Sequence, residues 1–125
     1  MKLIIGGVAQ GKLDYVLQRY GLTPKDIWPG VDLSSLEDYK IINNLQLLVA
    51  KMLENGRDAQ TEILAAVRTN PHIIIIAAEI GCGIVPIEQK DRIWREVHGR
   101  LCCELAKEAT EVIRIFCGRG MVIKS

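Results

Sequence analysis

Lys12 is the residue on which chemistry can be built. It follows Gly6-Gly7-Val8-Ala9-Gln10-Gly11, and the spacing from Gly6 through four residues to Gly11 and Lys12 fits a phosphate-binding loop. In such a loop, glycines let backbone N–H groups turn inward onto phosphate oxygens. The helix that follows adds its positive end, and the lysine reaches the terminal phosphates. Gly6, Gly7, Val8, Ala9, Gln10, Gly11 and Lys12 are therefore the candidate phosphate-binding residues. The next position, where a Ser or Thr would hold Mg²⁺, is Leu13, which has no donor atom for a metal. Mg²⁺ stays a candidate cofactor that Leu13 puts in question, and no metal site is assigned. Asp14 comes one residue later and points elsewhere on the helix. A plainer reading stands beside this one: Gly6-Gly7 as a tight turn and Lys12 as a solvated surface residue.

Two carboxylates are candidates to work with Lys12. Glu79 closes a strongly apolar run, at the end of a strand where a catalytic or ligand-binding carboxylate often stands; its alternative is a capping or solvated glutamate. Asp32 is a further candidate for nucleotide or metal, on a less regular stretch. His72 falls at the opposite end of the same apolar run and reads as structural. His98 reads as a surface or helix-packing residue. Neither histidine has a carboxylate or cysteine at ligand spacing, so no metal centre is expected. Arg100 and Arg119 could serve phosphate binding, although most arginines are solvated.

The elements that must position these residues follow from hydrophobic periodicity. Residues 2–5 form an apolar run without alternation, the signature of a parallel strand covered on both faces. A helix is expected from Lys12 to Tyr20, with Val16, Leu17 and Tyr20 inward and Gly21 as its stop. An extended segment is expected near 30–33, interrupted by Pro29-Gly30. A helix is expected over 35–54, capped by Ser34 or Ser35, and another over 58–69 with Asp58 as cap. Four consecutive isoleucines, Ile73 to Ile76, give the strongest strand, 72–78. Gly81 and Gly83 follow it, in the place where ligands bind open α/β sheets. A long helix is expected over 88–109 with Trp94, Val97, Leu101, Leu105 and Ala109 inward. Gly99 in its middle costs about 1 kcal/mol relative to Ala and calls for close packing. Strand 112–117, a turn at 118–120 and a returning edge strand at 121–123 complete a hairpin. The expected fold is α/β, a P-loop-type three-layer arrangement with a mostly parallel sheet and a short C-terminal hairpin, forming one domain over 1–125.

Composition narrows the function classes. With 49% apolar and 25% charged residues, the chain matches an ordinary globular domain. A net charge of +1 provides no field for nucleic acid or a membrane surface. No apolar stretch approaches the ~18 residues of a membrane span. Cys82, Cys102, Cys103 and Cys117 form no CxxC or framework spacing, and Cys102-Cys103 read as small core residues carrying reduced thiols. Without a signal-peptide pattern, the protein is expected to be cytoplasmic.

The stretch from Ala78-Glu79-Ile80-Gly81-Cys82-Gly83-Ile84-Val85-Pro86 through Gly99-Arg100-Leu101 to Ile115-Phe116-Cys117-Gly118-Arg119-Gly120-Met121-Val122-Ile123-Lys124 resembles the end of the bifunctional adenosylcobinamide kinase / adenosylcobinamide-phosphate guanylyltransferase family. The Glu-x-Gly-x-Gly-Ile-Val-Pro string is its most specific part, and Gly6 to Lys12 fits the family's phosphate loop. The resemblance covers roughly half the chain. It implies a P-loop fold, GTP or ATP as phosphate donor, a cobinamide-type corrinoid as partner and a role in cobalamin biosynthesis. By position, Gly6 to Lys12 would cradle phosphates, Lys12 and Glu79 would be the catalytic residues, Gly81 to Pro86 would shape the site, and Asp32 would match an acidic family residue. The chain departs from the pattern at Leu13 and at Cys102, where the family has Asn. It is also shorter than a typical member between the first helix and residue 30. No histidine stands between Lys12 and His72, so the family's guanylyl-carrying nucleophile is missing.

Three readings follow. One is a cobinamide-kinase-like phosphotransferase without guanylyl transfer. Another is a non-catalytic relative that binds nucleotide or a partner. The third is an unrelated small α/β binding module. A shortened sheet with an exposed edge also makes a homo-oligomer an expectation.

Overall fold

A computed structural model describes residues 1–7, 10–80 and 89–125. Val8, Ala9 and the expected loop Gly81–Pro86 lie outside the described residues.

Five strands form one sheet in the order β2-β3-β1-β4-β5. They are β1 (Lys2–Gly6), β2 (Ile41–Ile42), β3 (Ile74–Ala78), β4 (Glu111–Phe116) and β5 (Arg119–Lys124). β1 lies between β3 and β4, parallel to both, with Ile4 opposite Ile76 and Ile113. β2 is parallel to β3, and β5 returns antiparallel to β4. The apolar runs of β1 and β3 are explained by this place: side chains on both faces of a central parallel strand are buried. Ile4, Ile74, Ile76, Ile113 and Ile115 face α1 (Lys12–Tyr20) through Val16, Leu13 and Leu17. Leu3, Ile75, Ala77 and Val112 face α2 (Leu45–Glu54), α3 (Ala59–Arg68) and α4 (Gln89–Glu108) through Val49, Met52, Ile63, Val67, Leu101 and Leu105. Helices on both faces of a mostly parallel sheet make the expected three layers.

Two expectations between 30 and 54 are corrected. No strand forms near 30–33; a 3₁₀ turn runs over Leu33–Asp38 instead, capped by Asp32. The helix expected over 35–54 is three pieces: that 3₁₀ turn, β2, and α2. Ile41 and Ile42 are both fully buried, one toward the α1 layer and one toward the α2–α4 layer. Their places at helical spacing from Leu45 and Met52 imitated a helix face. The break between β2 and α2 is set by Asn44 in the left-handed region, φ 57°, a conformation that Asn tolerates better than most residues.

At the other edge, β5 is longer than expected and all six of its residues are exposed. Cys103 and Cys117 are exposed, so the adjacent cysteines are not both core residues; Cys102 is half-buried. Among the described residues no helix is long and apolar enough to cross a membrane.

Candidate active site at the ends of β1, β3 and β4

The chain leaves β1 toward β2 on one side, and after β3 it crosses to β4 on the other. The loops following β1 and β3 therefore diverge from adjacent strand ends, which creates the crevice where open α/β sheets bind ligands. Gly6, Gly7 and Lys12 come from the first of these loops, and Glu79 from the second.

Sterics require the glycines. A Cβ on Gly6 would stand 2.6 Å from the Ile115 carbonyl oxygen of the neighbouring strand. Gly11, at the start of α1, has φ 82°, a conformation that L side chains rarely adopt. Among the described residues no side chain caps α1, and a helix N-terminus without a side-chain cap can offer its first-turn N–H groups to an anion. Lys12 is only 8% exposed, and its Nζ donates to the Gly7 carbonyl at 2.6 Å, folding the ammonium back into its own loop. Burial lowers its pKa, and the charge of Glu79 acts in the opposite direction. The plain reading of Lys12 as a solvated residue is therefore corrected.

Gln10 ties the loop to the far end of the chain. Its side-chain Oε1 accepts from the Cys117 N–H at 2.7 Å, and its carbonyl accepts from the Gly118 N–H at 2.9 Å. Cys117 and Gly118 reach this position with φ 50° and 77°. On the same side of the sheet, a Cβ on Gly120 would collide with the Tyr15 hydroxyl. The β4–β5 turn thus braces the phosphate-loop segment.

Glu79 is held from two directions. Its N–H donates to the Gly6 carbonyl at 2.8 Å, which joins the two loops. Its Oε2 accepts from Arg114 of β4 at 3.0 Å. Below it, Ala78 faces the side that β2 is too short to pair. Side chains replace the missing strand: Gln46 Oε1 accepts from the Ala78 N–H at 2.9 Å, and His98 Nε2 donates to the Ala78 carbonyl at 2.8 Å. Trp94 Nε1 in turn donates to the Gln46 carbonyl at 2.8 Å. Reasoning from sequence missed Gln46, Arg114 and the role of His98. A two-residue strand leaves unpaired backbone that must find partners, but no sequence pattern displays that need.

His98 is 2% exposed, not a surface residue. The carbonyl fixes its Nε2–H tautomer, while Nδ1 is buried with no hydrogen-bond partner. Burial lowers its pKa, partly offset by the Ala78 bond. Neither nitrogen is free to attack a phosphate. His72 is exposed at the beginning of β3, the opposite end of the sheet. Cys102 Sγ lies 3.6 Å from His98 Nε2, and burial pushes its thiol up to about 12, so it remains protonated. Among the described residues no three His, Cys, Asp or Glu side chains cluster to hold a metal.

Leu13 is half-buried in the apolar layer between α1 and the sheet. Asp32 is exposed; its carboxylate accepts from the Ser34 N–H at 2.9 Å and from the Ser34 hydroxyl at 2.7 Å, which hold its pKa low. No described contact joins Asp32 to Lys12 or Glu79, and the structure brings together Gly6, Gly7, Gln10, Gly11, Lys12 and Glu79 without it.

A strand, a glycine loop and an uncapped helix at the switch point of a mostly parallel sheet define an α/β protein of the P-loop type. Comparison with known proteins is more specific. The family model for cobinamide kinase / cobinamide phosphate guanyltransferase matches residues 22–123, and the chain belongs to that family. The matched span begins after the glycine loop, whose assignment rests on the geometry above. Two bifunctional adenosylcobalamin biosynthesis proteins CobU are similar. The one from Escherichia coli (strain K12) is 34% identical over 67 residues, 54% of this chain and 37% of the relative. The one from Salmonella typhimurium (strain LT2) is 34% identical over 74 residues, 58% of this chain and 41% of the relative. The matched stretch spans about two fifths of these curated relatives.

Proposed function

We propose that the chain binds the phosphates of GTP or ATP on the Gly6–Lys12 loop and serves cobalamin biosynthesis as a cobinamide-kinase-like phosphotransferase. The observation that carries this is the join between the two loops: the Glu79 N–H donates to the Gly6 carbonyl, and the charge of Glu79 acts on the buried Lys12 at the start of α1. Phosphoryl transfer is chiefly positioning and charge stabilisation. Lys12 would leave the Gly7 carbonyl for the terminal phosphates. Glu79, held by Arg114, would orient the acceptor hydroxyl. Mg²⁺ would be held by the nucleotide's own oxygens, because Leu13 offers none; the described residues fit a phosphate group and supply no metal ligand set. With His98 sealed against Ala78 and His72 at the far end, guanylyl transfer through histidine has no candidate nucleophile among the described residues, so this activity is absent from the proposal.

The half-buried Leu13 favours a second reading, a relative that binds nucleotide without turnover. Incubation with labelled GTP or ATP, Mg²⁺ and cobinamide distinguishes the two. Labelled phosphate on cobinamide, lost in Glu79→Ala and Lys12→Ala, supports the kinase. Saturable nucleotide binding without transfer rejects the kinase and supports the second reading.

A further inference from the structure

The Ala78 carbonyl and the Glu79 N–H belong to one peptide unit, and each end of that unit is held by a different part of the molecule. His98 Nε2 of α4 donates to the carbonyl at 2.8 Å. The N–H donates to the Gly6 carbonyl at 2.8 Å, the bond that joins the two loops. A peptide unit is planar and stiff. A rotation that frees its carbonyl from His98 therefore also turns its N–H away from Gly6, and hydrogen bonds weaken steeply when misaligned. Gln46, which holds the Ala78 N–H, grips the preceding peptide and leaves this one to His98.

The ring that makes the grip can take a proton. His98 is 2% exposed and its Nε2 already carries a hydrogen, so an added proton falls on Nδ1, from which no described group accepts. A charged ring left there would have neither water nor an acceptor for its second N–H. The Ala78 carbonyl favours the charged ring, but burial outweighs it. Among the described residues, the titratable or charged groups bordering the same cavity are Cys102 on the same helix, Glu79 after β3 and Arg114 on β4. Cys102 stays protonated, and Glu79 and Arg114 are paired with each other. α2 presents the neutral Gln46, and α3 presents Ile63, Leu64 and Val67 to this layer. The helix is also weakened beside the ring: Gly99 costs about 1 kcal/mol relative to alanine, and close packing does not account for it, because a Cβ there would meet nothing within 4 Å.

We propose that His98 is a proton-released latch on the join between the two loops. The neutral ring holds the Ala78–Glu79 peptide against Gly6; the protonated ring turns toward solvent and frees it, so that acid loosens the strand end from which the phosphate loop departs. The latch rests on the phosphate-loop reading only for its consequence for nucleotide.

The test follows the folded protein, without nucleotide, by ¹⁵N NMR from about pH 7.5 downward. The His98 ring signals and the Glu79 amide signal should titrate with one midpoint below the ordinary histidine value of ~6.5, while the amides of Ile4 and Ile75 stay in place. His98→Gln keeps a neutral donor without a titrating ring; in it the shared midpoint should vanish and leave the Glu79 amide only the response to its own carboxylate. A Glu79 amide that ignores the His98 titration, a midpoint that survives in His98→Gln, or a ring that takes its proton only as the whole chain unfolds overturns the inference. With GTP or ATP added, affinity should fall between about pH 7.5 and pH 5.5 by about threefold more in wild type than in His98→Gln, where protonation of the nucleotide acts alone; equal falls overturn the latch as a control on binding. Absence of nucleotide binding with the shared midpoint intact supports the latch and refutes the phosphate-loop reading alone.

Discussion

Lys12 and Leu13 are neighbours with opposite environments. The α1 helix turns Lys12 into the loop, onto the Gly7 carbonyl, and Leu13 into the apolar layer over the sheet. A serine at 13 would therefore give up buried surface as well as supply a metal ligand. Leu13→Ser should lower stability by about 1–2 kcal/mol, the value of a partly buried leucine, while tightening Mg²⁺-nucleotide binding. Urea denaturation and titration with and without Mg²⁺ check the two effects; unchanged Mg²⁺ dependence would mean that the loop does not hold nucleotide in the expected manner. Gly6 permits a sharper expectation. A methyl group 2.6 Å from the Ile115 carbonyl forces β1 and β4 apart, so Gly6→Ala should cost about 1–3 kcal/mol, in the range of overpacked sites. The turn at Gly6 and the helix start at Lys12 were legible in the sequence because loop geometry depends on local spacing. Asp32 caps a turn here, and in sequence a carboxylate two residues before Ser34 looks the same whether it caps a turn or waits for a ligand.

Among the elements, β4 and β5 do more than close the sheet. β5 buries none of its side chains, yet the turn leading into it makes two hydrogen bonds to Gln10. Gln10→Ala removes the side-chain bond to the Cys117 N–H, worth about 0.5–1.5 kcal/mol, and should lower the melting temperature by a few degrees and weaken nucleotide affinity about two- to tenfold. A variant that melts early but binds normally would show the turn to be structural only. The hairpin itself was readable from its glycines, but its brace on the loop joins residues 107 positions apart, which no local pattern reveals. β2 illustrates the converse. Its two isoleucines send one side chain to each layer, so a period of 3.6 fitted residues whose burial obeys a period of 2.

In the molecule as a whole, the short β2 edge is supported by side chains, and this makes stability depend on pH. The buried His98 resists a proton that the unfolded chain accepts at its ordinary value near ~6.5. Its contribution is complete above that value and declines as pH falls through it, because the unfolded state then binds more protons. The urea midpoint should drop between about pH 7 and pH 5.5, before most carboxylates titrate, and His98→Phe should flatten the drop while lowering stability at neutral pH. An equally steep drop in the variant would place the sensitivity elsewhere. The three-layer arrangement and the α/β class followed from the burial demanded by the isoleucine-rich runs, whereas the strand order came from the assembled sheet. The polar groups under Glu79 did not, since they answer a pairing deficit that exists only once the sheet is assembled.

The central claim is that Gly6 to Lys12 is a working phosphate loop, and calorimetric titration with GTP and ATP tests it most directly. The account predicts saturable binding that weakens at least tenfold in Lys12→Ala, corresponding to about 1.4 kcal/mol or more. Absence of binding, or binding indifferent to Lys12, would contradict it.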